Sequence, residues 1–238
     1  EVVASLQGII CKRELPPFRV PFRTARQVKY VRQGVTITAL GDSVFDTVGA
    51  TVAEVHTLFG RIVGDERLQD CSIYATFEEH AAVEMSNRYF TPRREAGSAT
   101  GRLLGEDIDP LGILTKAAGT EYIHTEDNEV YYYERRGKNE SDQRFASVLP
   151  VIFQVGDIVE VQVSFALLPL REGKLKTCMI LRSISLLDGS QTQAASVLSL
   201  SSKMKEPATA RVTLKRRVGY HEEQESATRA KFSHMEID

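Results

Sequence analysis

Residues 151–188 constrain the fold more than any other stretch of this 238-residue chain. Phe153, Val155, Ile158, Val159, Val161, Val163 and Phe165 form one β-forming run, punctuated near its start by Gly156-Asp157. A basic connector at 167–174 follows. A second run then sets Leu175, Thr177, Met179, Leu181, Ser183, Ser185 and Leu187 at alternate positions. Successive side chains of an extended chain point to opposite sides, so alternation over this length predicts two strands that each bury one face. The stretch reads as a long β-hairpin. Gly156 is expected to supply backbone freedom at a turn, where Asp157 accepts a local hydrogen bond.

Shorter β-like runs occupy 28–39, 51–63, 72–77 and 122–135, which brings the expected strands to at least six. In the last of these, Asp127-Asn128 reads as the turn of a second hairpin. Helices are expected at 76–87, where Glu78 and Glu79 precede Ala81, Ala82 and Met85, and at 111–118, closed by Gly119. Asp107 and Asp109 are expected to cap the turn into that second helix. Short connections favour antiparallel pairing. The expected fold is a β-rich α+β domain, a mainly antiparallel sheet or OB-like barrel with two short helices and a disordered C-terminal tail. Residues 1–26 read as an extended basic N-terminal segment, 27–190 as the β-rich globular domain, and 191–238 as a largely disordered tail poor in apolar residues.

Composition excludes little: charged residues are 26% of the chain and the formal net charge is −2. The distribution is more telling. Residues 12–32 hold seven Lys/Arg against Glu14 alone, whereas 42–80 hold eight acids against Arg61 and Arg67. Cys11, Cys71 and Cys178 are an odd number at wide spacing, and Cys71 and Cys178 sit in apolar runs. They read as reduced thiols in an intracellular protein. No apolar run approaches the ~18 residues of a membrane span, so no membrane partner is expected. The opening Glu1–Leu6 lacks both an initiator Met and a signal-peptide pattern, which gives the expectation of a piece of a longer product. Lys215-Arg216-Arg217 resembles a minimal nuclear-import cluster, which would place the protein in the nucleus.

Chemistry-bearing constellations are sparse. His124 with Asp127 has the wrong spacing for a His-x-Asp metal pair, so no metal site is expected. Cys71 and His80 would be a thiol and a base, but nothing near Cys71 activates it. No dinucleotide fingerprint, Walker loop or nucleophile elbow occurs in its strand–helix context, so no cofactor is expected and the reading is non-enzymatic. Tyr131-Tyr132-Tyr133 followed by Arg135, Arg136 and Lys138 is different. Bases stack on rings while cations track phosphates, which is how single-stranded nucleic acid is commonly held. In a strand, Tyr131 and Tyr133 share one face. Arg171 and Lys174 in the basic connector are expected to form the other lip of a groove. The expected partner is nucleic acid; the alternative is a protein partner recruited by the tail, in a protein-interaction or structural module.

Residues 153–165 and 181–188, with Asp109-Pro110-x-Gly112 and His124-x-x-Asp127-Asn128-x-Val130-x-Tyr132, resemble a protein family present in many copies in the genomes of mushroom-forming fungi. The 214–220 and 229–238 segments resemble that family's ending, so the resemblance spans about the last 130 residues. High copy number would suit a passenger of mobile elements, and the resemblance points to no particular activity. The strand Gly156-Asp157-Ile158-Val159-Glu160-Val161 is also similar to strands of OB-type barrels.

Overall fold

The computed structural model describes residues 3–19, 25–69, 74–137 and 144–205. The chain divides into two compact units, Glu1–Leu198 and Ser199–Asp238. In the second, the described residues, 199–205, are the end of a helix.

The expected hairpin is the centre of the first unit. Strands β10 (Ile158–Pro169) and β11 (Leu175–Asp188) pair antiparallel along their whole length, with bulges after Ile158 and Gln162. Val159, Val161 and Val163 of β10 are buried, as are Met179, Leu181, Ile184 and Leu186 of β11, so one face of each strand is core. The bulge that inserts Arg182 moves the inward positions of β11 from odd to even numbers, which breaks the expected alternation at Ser183. Gly156 has a φ of 99°, and the Asp157 carboxylate accepts from the Gln154 N–H at 2.6 Å. Both readings of that turn hold.

Strand β1 (Val3–Glu14) lies beside β10, antiparallel to it, and on its other side pairs with β2 (Arg32–Thr38). The segment set apart as an N-terminal extension is thus an interior strand: its alternate residues, Ala4, Leu6 and Ile10, pack into the core. Lys12 and Arg13 follow a bulge after Ile10, and the break in period there concealed the pattern. Beyond β2 come β5 (His80–Arg88) and β4 (Tyr74–Phe77), again antiparallel. The helix expected at 76–87 is therefore this hairpin. Its turn is Glu78-Glu79, both at positive φ (47° and 70°), as a two-residue hairpin turn requires. Long pairing with β2 outweighs the helical propensity of the segment.

The strand expected at 51–63 is instead part of helix α1 (Val44–Val63). Phe45, Val48, Val52, Val55 and Phe59 recur at helical spacing, and Phe45 and Val52 are buried among the strands. β-Branched residues and two glycines obscured that period. Strand β3 (Leu68–Gln69) then runs parallel to the start of β11.

Strand β6 (Thr91–Pro92) pairs with β7 (Tyr122–Ile123), flanking helix α2 (Ile113–Ala118). The Asp109 carboxylate accepts from the Leu114 and Thr115 N–H groups at 3.0 and 2.8 Å and so caps α2, as expected. The second hairpin is not formed. Asp127 and Asn128 lie in a 3-10 turn in which the Thr125 N–H and hydroxyl both donate to the Asn128 side chain. Strand β8 (Tyr131–Arg136) leaves that turn to pair parallel with β11 and antiparallel with β9 (Arg144–Ser147).

The sheet runs β4-β5-β2-β1-β10-β11-β8-β9 and curls until β5 lies against β11. Across that seam the Asn87 amide donates to the Leu181 carbonyl at 3.3 Å and to the Asp127 carbonyl at 2.8 Å. The result is a β-rich, mostly antiparallel mixed sheet curled into a barrel. Helix α3 (Ser190–Lys205) begins where the disordered tail was expected; residues 206–238 lie outside the described residues. Thr192 of α3 donates its hydroxyl to buried Asp157 at 2.5 Å, so the start of the helix supports the β10 turn.

Candidate nucleic-acid interface

Tyr132 is the fixed point of β8. Its ring is buried, 6.0 Å from the Phe153 ring, and its hydroxyl donates to the Gln33 side-chain oxygen at 2.7 Å. Gln33 in turn donates to the Asn128 carbonyl at 2.8 Å. Burial raises the Tyr132 hydroxyl far above its ordinary pKa, which keeps it a neutral donor. With Tyr132 turned inward, period 2 sends Tyr131 and Tyr133 to the outer face. Their rings are stacked there, centroids 6.5 Å apart and planes 21° from parallel. Tyr131 remains 49% exposed.

The floor beside the rings is small and polar. Ser183 and Ser185 of β11 are the register partners of Tyr131 and Tyr133, and Gln162 and Glu160 of β10 lie one strand further on. Nothing bulky rises from those strands to cover the tyrosines. On the other side, Phe145 of β9 sits opposite Arg135 and is 50% exposed. Phe145 stands diagonal to Tyr133, within aromatic reach on one sheet face. Sequence reasoning missed it, because a four-residue strand beside a charged loop has no readable period. Its only signal was an apolar residue where the chain otherwise lacks them.

Tyr131 is also held from its hydroxyl. That group donates to the Glu129 carboxylate at 2.9 Å, while Arg102 donates to both Glu129 oxygens at 2.8 and 2.9 Å and to Glu126 at 2.9 Å. Partial desolvation works to raise the Glu129 carboxyl, but hydrogen bonds from Arg102 and Tyr131 hold it below its ordinary value. The bond to Glu129 raises the Tyr131 hydroxyl, so the ring stays neutral.

The cations named with the tyrosines are distributed unevenly. Arg135 lies on the same face and lowers the Asp188 carboxyl, behind that group's own hydrogen bonds to Ser190. Arg136 forms an exposed ion pair with Glu134 at 3.3 Å. Lys138 lies outside the described residues. Arg171 and Lys174 are at the far tip of the β10–β11 hairpin. Tyr131 meets β11 at Ser183, eight residues from Leu175, so the two groups are roughly 26 Å apart along the strand. They are not facing lips of one groove. Lys174 donates to the Glu66 carbonyl at 2.6 Å and ties the tip to the turn after α1.

Arg171 instead lines a groove of about 690 Å³ at the β5–β11 seam, with Lys29, Tyr30, Arg32, Arg88 and Arg182. Lys29 and Arg32 belong to the basic 12–32 stretch; Arg88 and Arg182 had no distinguishing sequence context. Asp127 and Glu95 also line it, and Glu95 approaches Arg88 at 3.7 Å. Arg182 spans the outer face, donating to the Ser164 hydroxyl at 2.9 Å and the Asp127 carbonyl at 3.0 Å.

His124 is buried and its Nδ1 lies 2.7 Å from the Tyr89 carbonyl. Among the described residues, no three His, Cys, Asp or Glu side chains converge as a metal-binding group. Cys71 lies outside the described residues. Cys178 is half-buried beside the Ala166 carbonyl, and burial raises its thiol. No described helix is long and apolar enough to cross a membrane.

No protein-family model and no curated protein matches the chain. Among solved structures it is similar to the crystal structure of gp2.5, a single-stranded DNA binding protein encoded by bacteriophage T7. The identity is 10% and the TM-score 0.41, with 82% of this chain and 94% of that chain covered.

Proposed function

We propose that this protein is a non-enzymatic binding module for single-stranded nucleic acid, and that bases stack on the outer face of β8 and β9. The observation that carries the reading is the Tyr131–Tyr133 pair, stacked and accessible above a floor of serines with Phe145 and Arg135 beside it. A sheet face with two or three accessible rings and small neighbours presents flat π-surfaces, and every base has a face to offer them. Duplex DNA keeps its bases stacked on each other, so the same face favours a single strand. Stacking contributes ~1–3 kcal/mol per base. A Tyr131→Ala/Tyr133→Ala variant should therefore bind a labelled oligothymidylate at least tenfold more weakly than wild type, with an unchanged melting temperature. Equal affinity in a folded variant would remove the reading.

A second reading rests on α3, where Val197 and Leu198 are 65% and 69% exposed. An amphipathic partner helix would cover such residues. Pull-down of a protein free of nucleic acid, lost on replacing both residues by serine, would favour it.

A further inference from the structure

We infer that the groove at the β5–β11 seam holds the sugar–phosphate backbone of the bound strand, which then passes along β11 onto Tyr131 and Tyr133. This rests on the nucleic-acid reading above and adds a second, base-independent site to it.

Five cationic side chains (Lys29, Arg32, Arg88, Arg171 and Arg182) meet on one concave wall against two carboxylates, Glu95 and Asp127. They come from five places in the chain: the 3-10 turn Ala25–Tyr30, β2, β5, the hairpin tip and β11. Among the described residues, no carboxylate lies within ion-pair distance of Lys29, Arg32 or Arg171. Like charges gathered without neutralisation repel, and Lys29 and Arg171 stand exposed at the groove. A concave wall focuses that field on an anion entering it.

The groove lining also bears on the kind of anion. Tyr30 stands at the groove, 71% exposed, with the Lys29 ammonium 5.9 Å from its ring centre. A ring and a cation side by side suit a chain that alternates flat bases with phosphates. The concavity admits a strand and not a flat bilayer.

Ile180 and Arg182 form part of the groove wall, and the next outward-facing residues of β11, Ser183 and Ser185, are the register partners of Tyr131 and Tyr133. Arg182 precedes Ser183 by one residue, about 3.3 Å of strand. The groove wall runs into the stacking face with no element between them on β11.

The test separates backbone from base. Two fluorescent probes of equal length are titrated over a range of salt: an oligothymidylate and a base-free deoxyribose-phosphate oligomer. Replacing Lys29, Arg32 and Arg171 by Gln together should lower the salt slope of log K by about 2, at about 0.7 per phosphate contact on a single strand, for both probes. A charge-matched control, Lys12→Gln/Arg61→Gln/Lys116→Gln, should keep the wild-type slope. The Tyr131→Ala/Tyr133→Ala variant should weaken the oligothymidylate alone. If half-buried Arg32 proves necessary for folding, Lys29→Gln/Arg171→Gln should still lower the slope by about 1.4. Groove variants that behave like their control while the wild type binds oligothymidylate would overturn the groove and leave the stacking face intact. Failure of the wild type to bind either probe would overturn both.

Discussion

Tyr132 sets the geometry of its two neighbours without reaching the surface. The inward ring, its contact with Phe153 and its bond to Gln33 fix the twist of β8, and the outward rings follow from period 2. Tyr132→Phe would leave the buried Gln33 oxygen without its donor, at a cost of ~1–3 kcal/mol. Urea unfolding should show that loss, while oligonucleotide affinity of the folded protein stays unchanged; a loss of affinity at full stability would place Tyr132 in the site. His124 gives a second residue-scale prediction. Desolvation lowers its pKa below the ordinary 6.5, against the opposing pull of the Tyr89 carbonyl. Between 6.5 and the lowered value, the unfolded chain binds a proton that the folded chain refuses. Stability should be complete above about pH 6.5 and fall as pH drops towards the lowered value. His124→Gln should flatten that limb; an identical profile in the variant would contradict the assignment. At this scale the sequence was readable where side chains alternate. Tyr131 and Tyr133 sharing a face needed only the strand period, whereas the role of Gln33, 99 residues from Tyr132, needed the fold.

The β10 turn shows how elements depend on each other. Gly156 has a φ of 99°, and a Cβ there would meet the Thr192 methyl of α3 at 2.9 Å. Backbone bonds also tie this turn to β1, Gly156 N–H to the Ile10 carbonyl at 2.8 Å and Ile10 N–H to the Asp157 carbonyl at 3.0 Å. Gly156→Val should destabilise the fold by ~1 kcal/mol or more, through both φ strain and displacement of α3. Thermal melting checks this, and a variant as stable as wild type would contradict it. The long hairpin was legible because its two strands stay paired from end to end and alternate buried and outward residues between their bulges. Helix α1 was not, because Val48, Thr51, Val52 and Val55 are β-formers at helical spacing, and only packing against the sheet decides between the two. The β4–β5 hairpin was hidden by a Glu-Glu turn, which carries none of the Asn-Gly chemistry that usually marks one. In 122–135 both strands exist but do not pair with each other: β7 takes β6, and β8 lies between β11 and β9; local turn chemistry cannot specify that.

For the whole molecule, a net charge of −2 conceals a division of labour. Cations gather at the seam of the barrel, and rings gather one strand away on its outer face. The seam groove could not be read from sequence, since Lys29 and Arg182 are brought together only when β5 closes against β11. The length of β11 separates Arg171 and Lys174 from the tyrosines with which they were grouped. Holding a single strand by stacking plus neutralised phosphates makes a joint demand on affinity and salt. The most direct measurement is equilibrium binding of a labelled oligothymidylate to the full chain from about 20 to 300 mM salt, with the matching duplex as competitor. The account predicts tight binding at low salt, a steep linear fall of log K with log salt, and weak competition by duplex. No binding at the lowest salt, or duplex competing as well as the single strand, would contradict it.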